Sequence, residues 1–367
     1  MPEHDRVQRR SGPVALVLSE HSGHGHDTHP RELLEAAGVR VALELPVDAL
    51  DHVSPQGRAW QARGLVAVVA GGGDGTIAAV ATQLAGTDLA LGILPLGTSN
   101  DVARSLGLPM DLDRAAEVIA AGMPRTVDAG LALPAVTEPL ALSVEHDMMA
   151  VARHAVQARR GAYFLHALTL GLNVEFARLA TDVARRHRFG PLNYAAAAIE
   201  AVAHAQVLPV TLHLWGVRHT SAAAQQPDAA GNLKVTHRAL QVAAVNLPVF
   251  GGALNLRMPE VHDRDGLLDV VVFESLEDLD LKARVEHWLT ALRGLPESGV
   301  PASEPADADL FSLPGVLRYQ AEQAVIETPQ PVDVTLDGEL RAATPVLVRA
   351  APRLVRVLLP PDDETKR

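Results

Sequence analysis

Apolar positions fall into two regimes along the chain. From Pro13 to Ser19, Val39 to Leu45, Leu65 to Ala70 and Leu89 to Pro95 they form short unbroken runs bounded by glycine or polar residues. That is the pattern of strands buried on both faces of a parallel sheet. Helical stretches lie between the runs. One has Thr28 as cap, Pro30 in its first turn and Gly38 past its end; a second opens at Ser54-Pro55 and closes at Gly64. Ile77 to Leu84 follows, then Asp111 to Ala121 closed by Gly122. Proline early and glycine late are the expected helix boundaries. Strands alternating with helices to about residue 124 predict an α/β layer with its loops at one edge of a parallel sheet.

The pattern changes near Arg125. Ala132 to Arg160, rich in Pro, Glu and Arg, reads as a strand, a loop and a polar helical piece. Tyr163 to Gly171 reads as a strand, Val174 to Phe189 as an amphipathic helix and Pro191 to Ala205 as a second helix. Leu208 to Val217 and Leu233 to Leu247 are expected strands around a loop of disordered composition at Ser221 to Gly231. A helix over Asp278 to Arg293 and an exposed, proline-bearing loop over Leu295 to Asp309 precede the strands that fill Leu317 to Leu359. Asp337-Gly338 between two of them is a type I′ hairpin signal.

Composition narrows the function classes. With 367 residues the chain is long enough for two domains. The absence of cysteine excludes disulfides and thiolate metal sites and fits a reducing compartment. No stretch of about 18 residues is free of polar groups, so no membrane span is expected. A net charge of −12 argues against nucleic acid as a partner. His21, His24, His26 and His29 stand on a glycine loop without a carboxylate pattern and read as solvated rather than as a metal site.

The candidate chemistry lies between Leu65 and Arg104. The apolar runs there end in Gly71-Gly72-Gly73-Asp74-Gly75-Thr76 and in Leu96-Gly97-Thr98-Ser99-Asn100-Asp101, each leading into a helix. A helix that starts directly after a glycine loop presents free N–H groups and its positive dipole end, and glycine lets a phosphate approach the backbone. A tight strand-to-helix turn needs glycine in any case, and Thr98, Ser99 and Asn100 serve equally as caps. A P-loop is excluded because the first lysine is Lys234, and a dinucleotide fingerprint fails because position 76 is Thr.

Gly72-Gly73-Asp74-Gly75-Thr76 followed by Pro95 to Arg104 resembles the two nucleotide motifs of the diacylglycerol kinase catalytic domain family, which includes bacterial lipid kinases and sphingosine and ceramide kinases. Further along, Val127 to Gly130, Tyr163 to Gly171, Phe250 to Leu254 with Pro259, Asp263 to Asp269 and Asp337-Gly338-Glu339 resemble that family's later motifs. Two departures stand out: Ser19-Glu20 replaces Asn-Pro in the first nucleotide loop, where Gly23 still fits, and His166 replaces an Asn.

The resemblance implies an N-terminal α/β domain with a parallel sheet, NAD kinase-like, over 1–124. It implies a C-terminal antiparallel β-sandwich over 125–340 for the lipid, with 341–367 as final strands and tail able to return to the N-terminal domain. The implied activity is ATP-dependent phosphorylation of a lipid hydroxyl, diacylglycerol or a related lipid. ATP would be held by Gly23, Gly71, Gly72, Gly73, Asp74, Gly75, Thr76, Gly97, Thr98, Asn100 and Asp101. A structural Mg²⁺ would lie on the Asp265 carboxylate and the backbone oxygens of His262 and Leu267. Asp74 and Asp101 are candidates for the Mg²⁺ that accompanies ATP, Asp101 equally a plain cap. Glu339 would accept the hydroxyl proton with Asp337 beside it, and Asp74 is the rival base. A soluble-substrate kinase, for NAD or a sugar, and a non-catalytic nucleotide-binding protein stay open. The lipid partner implies a cytoplasmic protein at the inner membrane face, with Arg185-Arg186-His187-Arg188 beside Phe189 as candidate contact or as a solvated helix end. A homodimer also stays open.

Overall fold

The computed structural model describes residues 12–19, 29–50, 56–135, 161–172, 174, 206–221, 223–250, 256–258, 260–274 and 315–361. In its first part β1 (Val14–Leu18), β2 (Val41–Pro46), β3 (Ala67–Gly72) and β4 (Ala90–Pro95) pair in parallel in the order β2-β1-β3-β4. β3 and β4 are buried at every position, which is why they are continuous apolar runs and not alternating ones. One face is covered by α1 (Pro30–Ala36), through Leu34. The other is covered by α2 (Gly57–Ala62) and α3 (Asp74–Leu84), through Trp60, Ile77 and Val80. α4 (Asp101–Ser105) adds Val102 to that second core, while α5 (Leu112–Ala121) packs Ala115, Ala116 and Ile119 beside Leu34. The cap of α1 is His29, whose Nδ1 accepts the Arg31 N–H at 3.2 Å, in place of the expected Thr28.

The chain then enters β5 (Met123–Pro134), so the expected boundary near Arg125 falls inside a strand. β5 pairs antiparallel with β18 (Val346–Leu359) from Met123 to Pro134, and β18 also joins β4 in parallel at Arg356 and Val357. The last strand therefore extends the N-terminal sheet. Beyond β18 the sheet is antiparallel, running through β15 (Gln323–Glu327), β8 (Leu208–Trp215), β10 (Leu233–Val245), β7 (Ala167–Gly171), β16 (Asp333–Leu336) and β17 (Glu339–Ala343). β6 (Ala162–Phe164) pairs with β5, and β9 (His219–Thr220) with β14 (Val316–Ala321). β13 (Leu268–Glu274) bridges β10 and β14, while β11 (Val249–Phe250) and β12 (Leu256–Arg257) form a separate ribbon. Alternate residues of these strands, among them Leu212, Val242, Val270, Tyr319 and Val346, close a second core. The N-terminal α/β layer and C-terminal antiparallel β-sandwich-like domain are thus both present.

Two local expectations change. The strand over Tyr163 to Gly171 is broken at Leu165-His166, and the loop at Ser221 to Gly231 is folded. Asp228 Oδ1 accepts the N–H groups of Ala230 and Asn232 at 2.9 and 2.8 Å, an Asx-type turn that its polar composition conceals. The expected elements over 136–160, 175–205 and 275–314 lie outside the described residues, as do Gly23 and the arginines of 185–188. Among the described residues no helix is long and apolar enough to cross a membrane.

Candidate active site

The two glycine loops lie in contact. A Cβ built on Gly97 would meet the Gly73 Cα at 2.3 Å, and one on Gly73 would meet the Gly97 Cα at 3.3 Å. Glycine at 97 is therefore demanded by the approach of two backbones, whatever else the loops bind. Asp74, the first residue of α3, does not serve its own helix. Its Oδ2 accepts the Asp101 N–H at 3.1 Å and its Oδ1 the Val102 N–H at 2.9 Å. It caps α4 across the gap between the loops.

Asn100 folds the second loop on itself. In a left-handed conformation (φ 52°), it accepts the Gly97 N–H through Oδ1 at 3.0 Å and donates through Nδ2 to the carbonyls of Pro95 and Gly97, at 3.2 and 2.8 Å. Asp101 is buried, and Thr76 is buried with its hydroxyl beside Gly72. Thr98 is exposed, and Ser99 offers its carbonyl to Arg104 Nε at 3.2 Å. The loops thus hold together Asp74, Thr76, Gly97, Asn100 and Asp101 as one unit.

A second unit comes from the far end of the chain. Asp337 (φ 48°) and Gly338 (φ 83°) make a two-residue left-handed turn between β16 and β17, with Leu336 opposite Glu339. The Asp337 carboxylate is buried and accepts three consecutive backbone N–H groups: Leu165 at 2.8, His166 at 2.8 and Ala167 at 3.0 Å. Those bonds turn the backbone away from strand pairing, the physical reason for the break between β6 and β7. Burial pushes the Asp337 carboxyl up from 3.8 to about 6, opposed by nearby His166 and by the three N–H donors.

Glu339 reaches the first loop. A Cβ on Gly75 would meet its Oε1 at 2.4 Å, so its carboxylate lies against the start of α3. Its other oxygen pairs with Arg341, the Nε at 3.0 Å. Glu339 and Arg341 are exposed and share one face of β17, as strand residues two apart must. Arg341 was not among the expected site residues, and that spacing is the signal that could have found it. Glu339 thus lies at the first loop beside Gly75, the neighbour of Asp74, while Asp337 is buried in the turn on its three N–H donors.

The loop over 262–269 forms a third unit. Asp265 is exposed, with Oδ1 on the Leu267 N–H at 3.0 Å and Oδ2 on Gln320 Nε2 at 3.1 Å. Fully buried Asp128 anchors this loop: it accepts the N–H groups of Gly266 and Arg353 at 2.7 Å each, and its own N–H donates to the Asp263 carbonyl at 2.7 Å. Asp269 pairs with Arg318 Nε at 2.6 Å, and burial still carries its carboxyl up to about 6. Burial first and then the Asp128 charge raise Asp265 as well, while His262 acts against them. Both Asp265 oxygens are thus engaged, and Asp263 and Asp269 have Arg264 and Arg318 as ion-pair partners; oxygen donors of this kind are those a hard cation such as Mg²⁺ takes. Among the described residues no three His, Asp or Glu side chains converge, so a cation there would rest largely on main-chain oxygens.

Two glycine loops on a parallel sheet are thus met by a carboxylate from the antiparallel part of the chain. Residues 13–132 match the family model of the diacylglycerol kinase catalytic domain, and residues 167–290 match that of the YegS C-terminal NAD kinase beta sandwich-like domain. Together the two matches place a diacylglycerol kinase catalytic domain and a YegS C-terminal beta sandwich-like domain in this chain. It is 28% identical over 360 residues to a "Diacylglycerol kinase" of Mycobacterium tuberculosis, covering 95% of this chain and 96% of that one. It is 54% identical over 121 residues to a "Probable lipid kinase YegS-like" of Klebsiella pneumoniae, covering 32% and 40% of the two chains. A solved structure titled as a diacylglycerol kinase from Bacillus anthracis shares the fold, with a TM-score of 0.60 at 18% identity over 96% of this chain and 97% of that one.

Proposed function

We propose that this protein is an ATP-dependent lipid kinase that transfers the γ-phosphate to a hydroxyl of diacylglycerol or a related lipid. The observation that carries this reading is the Glu339 carboxylate lying against Gly75, at the first turn of the helix that follows the first glycine loop. ATP phosphates would be held by the backbone of Gly71 to Thr76 and Gly97 to Asp101, with Gly23 completing the site. Mg²⁺ would supply charge neutralisation at the phosphates, with Asp74 and Asp101 nearby. A structural Mg²⁺ would sit on Asp265 with the His262 and Leu267 carbonyls.

Phosphoryl transfer asks a protein mainly for positioning and charge stabilisation. The acceptor oxygen attacks the γ-phosphorus as its proton passes to Glu339, and ADP leaves with the bridging oxygen. Asp74 has both carboxylate oxygens on the N–H groups of α4, which favours an organising role for it and leaves Glu339 as the base. Asp337, buried on three N–H groups, fixes the turn that aims Glu339.

The test is incubation with γ-labelled ATP, Mg²⁺ and either diacylglycerol in detergent micelles or water-soluble acceptors such as NAD. Label in the lipid phase well above that in any soluble acceptor supports the reading. Label transferred preferentially to a soluble acceptor contradicts it.

A further inference from the structure

The hairpin that carries Glu339 and the second glycine loop are joined through the backbone of one buried residue, Val249. His166 Nε2 donates to the Val249 carbonyl at 2.6 Å, while the Val249 N–H donates to Ser105 Oγ at 3.0 Å. Ser105 is the last residue of α4, the helix whose first N–H groups are capped by Asp74. His166 is also the middle of the three residues whose N–H groups hold Asp337, and its own carbonyl accepts the Asn246 N–H at 2.9 Å. The contacts close a ring: Asp74, α4, Ser105, Val249, His166, Asp337, the turn, Glu339, and back to Gly75 beside Asp74.

The geometry points to His166 as a positioning residue for phosphoryl transfer, one that fixes the Glu339 hairpin relative to the second glycine loop through Val249. The inference rests on Glu339 being the base. The residue type matters here. An Asn, which the related motif carries at this place, ends where the His Nδ1 stands and falls short of the Val249 carbonyl. A histidine donating from Nε2 spans the gap, and its ring, 7% exposed, is fixed by the packing around it. Its effect would pass through the distance and angle of Glu339 to the acceptor. A displacement of about 1 Å in a catalytic group is enough to cost on the order of 10²-fold in rate.

Three variants test this, each measured for kcat with diacylglycerol micelles and for ATP affinity by calorimetry. His166→Leu removes the donor and should lower kcat roughly 10-fold or more with ATP affinity within about two-fold. His166→Gln keeps an N–H donor at similar reach and should restore kcat to within a few-fold of the parent. Ser105→Ala removes the acceptor of the Val249 N–H, on the other side of the same residue, and should lower kcat several-fold. Combined with His166→Leu it should add less than the product of the two effects, because both act through Val249.

If His166→Leu proves insoluble, Ser105→Ala with His166→Gln still decides: full kcat in Ser105→Ala overturns the inference. So does His166→Leu at parental kcat, or His166→Gln as impaired as His166→Leu. Glu339→Gln run alongside separates the two levels. If it turns over normally, the base assignment and this inference both fall; if it is inert while His166→Leu is unaffected, only this inference falls.

Discussion

The glycine loops and the Glu339 hairpin meet at Gly75 but are held in place by opposite means. Each loop is built from consecutive residues, and the two are locked together across separations of only 27 and 28 positions, Asp74 on Asp101 and Val102, with Gly73 against Gly97. The hairpin's anchor, Asp337, takes its three donors from residues about 170 positions earlier in the chain. A locally built unit tolerates little change in its own residues, because backbone touches backbone. A remotely anchored one depends on distant residues that make no contact with its working carboxylate. The substitutions below separate those two kinds of dependence.

The largest effect is expected from Gly97→Val, whose side chain would start 2.3 Å from the Gly73 Cα. ATP affinity should fall by more than about 10²-fold, with overpacking lowering unfolding free energy by about 1–3 kcal/mol. Gly73→Val has more room, 3.3 Å, and should lose ATP affinity at a smaller stability cost. Calorimetry with denaturant titration resolves the pair, and parental ATP affinity in Gly73→Val would remove the loops from the site.

Next comes Asp337→Asn. Its amide nitrogen cannot accept one of the three N–H bonds, so stability should fall by about 1–3 kcal/mol and kcat by about 10–10²-fold, with ATP affinity retained. A kcat equal to the parent's would show that the anchor does not aim Glu339. A gentler probe is Gly75→Ala, whose methyl meets first the movable end of Glu339. It should lower kcat several-fold while shifting stability by no more than about 0.5 kcal/mol.

The smallest effect is a slope. Asp337 has a folded-state carboxyl raised from 3.8 to about 6. Its protonated form is favoured on folding, so its contribution to stability is present in full below 3.8 and is lost as pH rises through about 6. Unfolding free energies measured between pH 4 and pH 6.5 should therefore decline more steeply with pH in the parent than in Asp337→Asn. Parallel curves would contradict the assignment.

The same contrast explains what was legible in the sequence. The parallel strands were visible because burial on both faces leaves unbroken apolar runs, and the loops because glycine and short polar residues cluster where strand turns to helix. The Asp337-Gly338 turn was also legible, since two left-handed residues in a row restrict the choice of side chain. What the letters do not carry is the partner of a carboxylate. Asp74 reads as a carboxylate for the phosphates or Mg²⁺, and the structure shows it capping α4. Asp128 lies in a stretch read only as a motif, and its partner, the 262–269 loop, is not in the letters. The break at Leu165-His166 was missed because its cause, Asp337, lies in another part of the chain. His29 displaced Thr28 as a cap because an imidazole nitrogen can accept an N–H as a hydroxyl oxygen can.

In the proposed mechanism a carboxylate delivered by the antiparallel half acts as base at loops built by the parallel half. Turnover and ATP binding of Glu339→Gln and Asp74→Asn, measured side by side, test it most directly. Glu339→Gln should lose about 10²–10⁴-fold in kcat at nearly parental ATP affinity, and Asp74→Asn should weaken Mg·ATP binding as well as turnover. Near-normal turnover in Glu339→Gln, beside an inert Asp74→Asn enzyme that still binds ATP, would contradict the account and assign the proton transfer to Asp74.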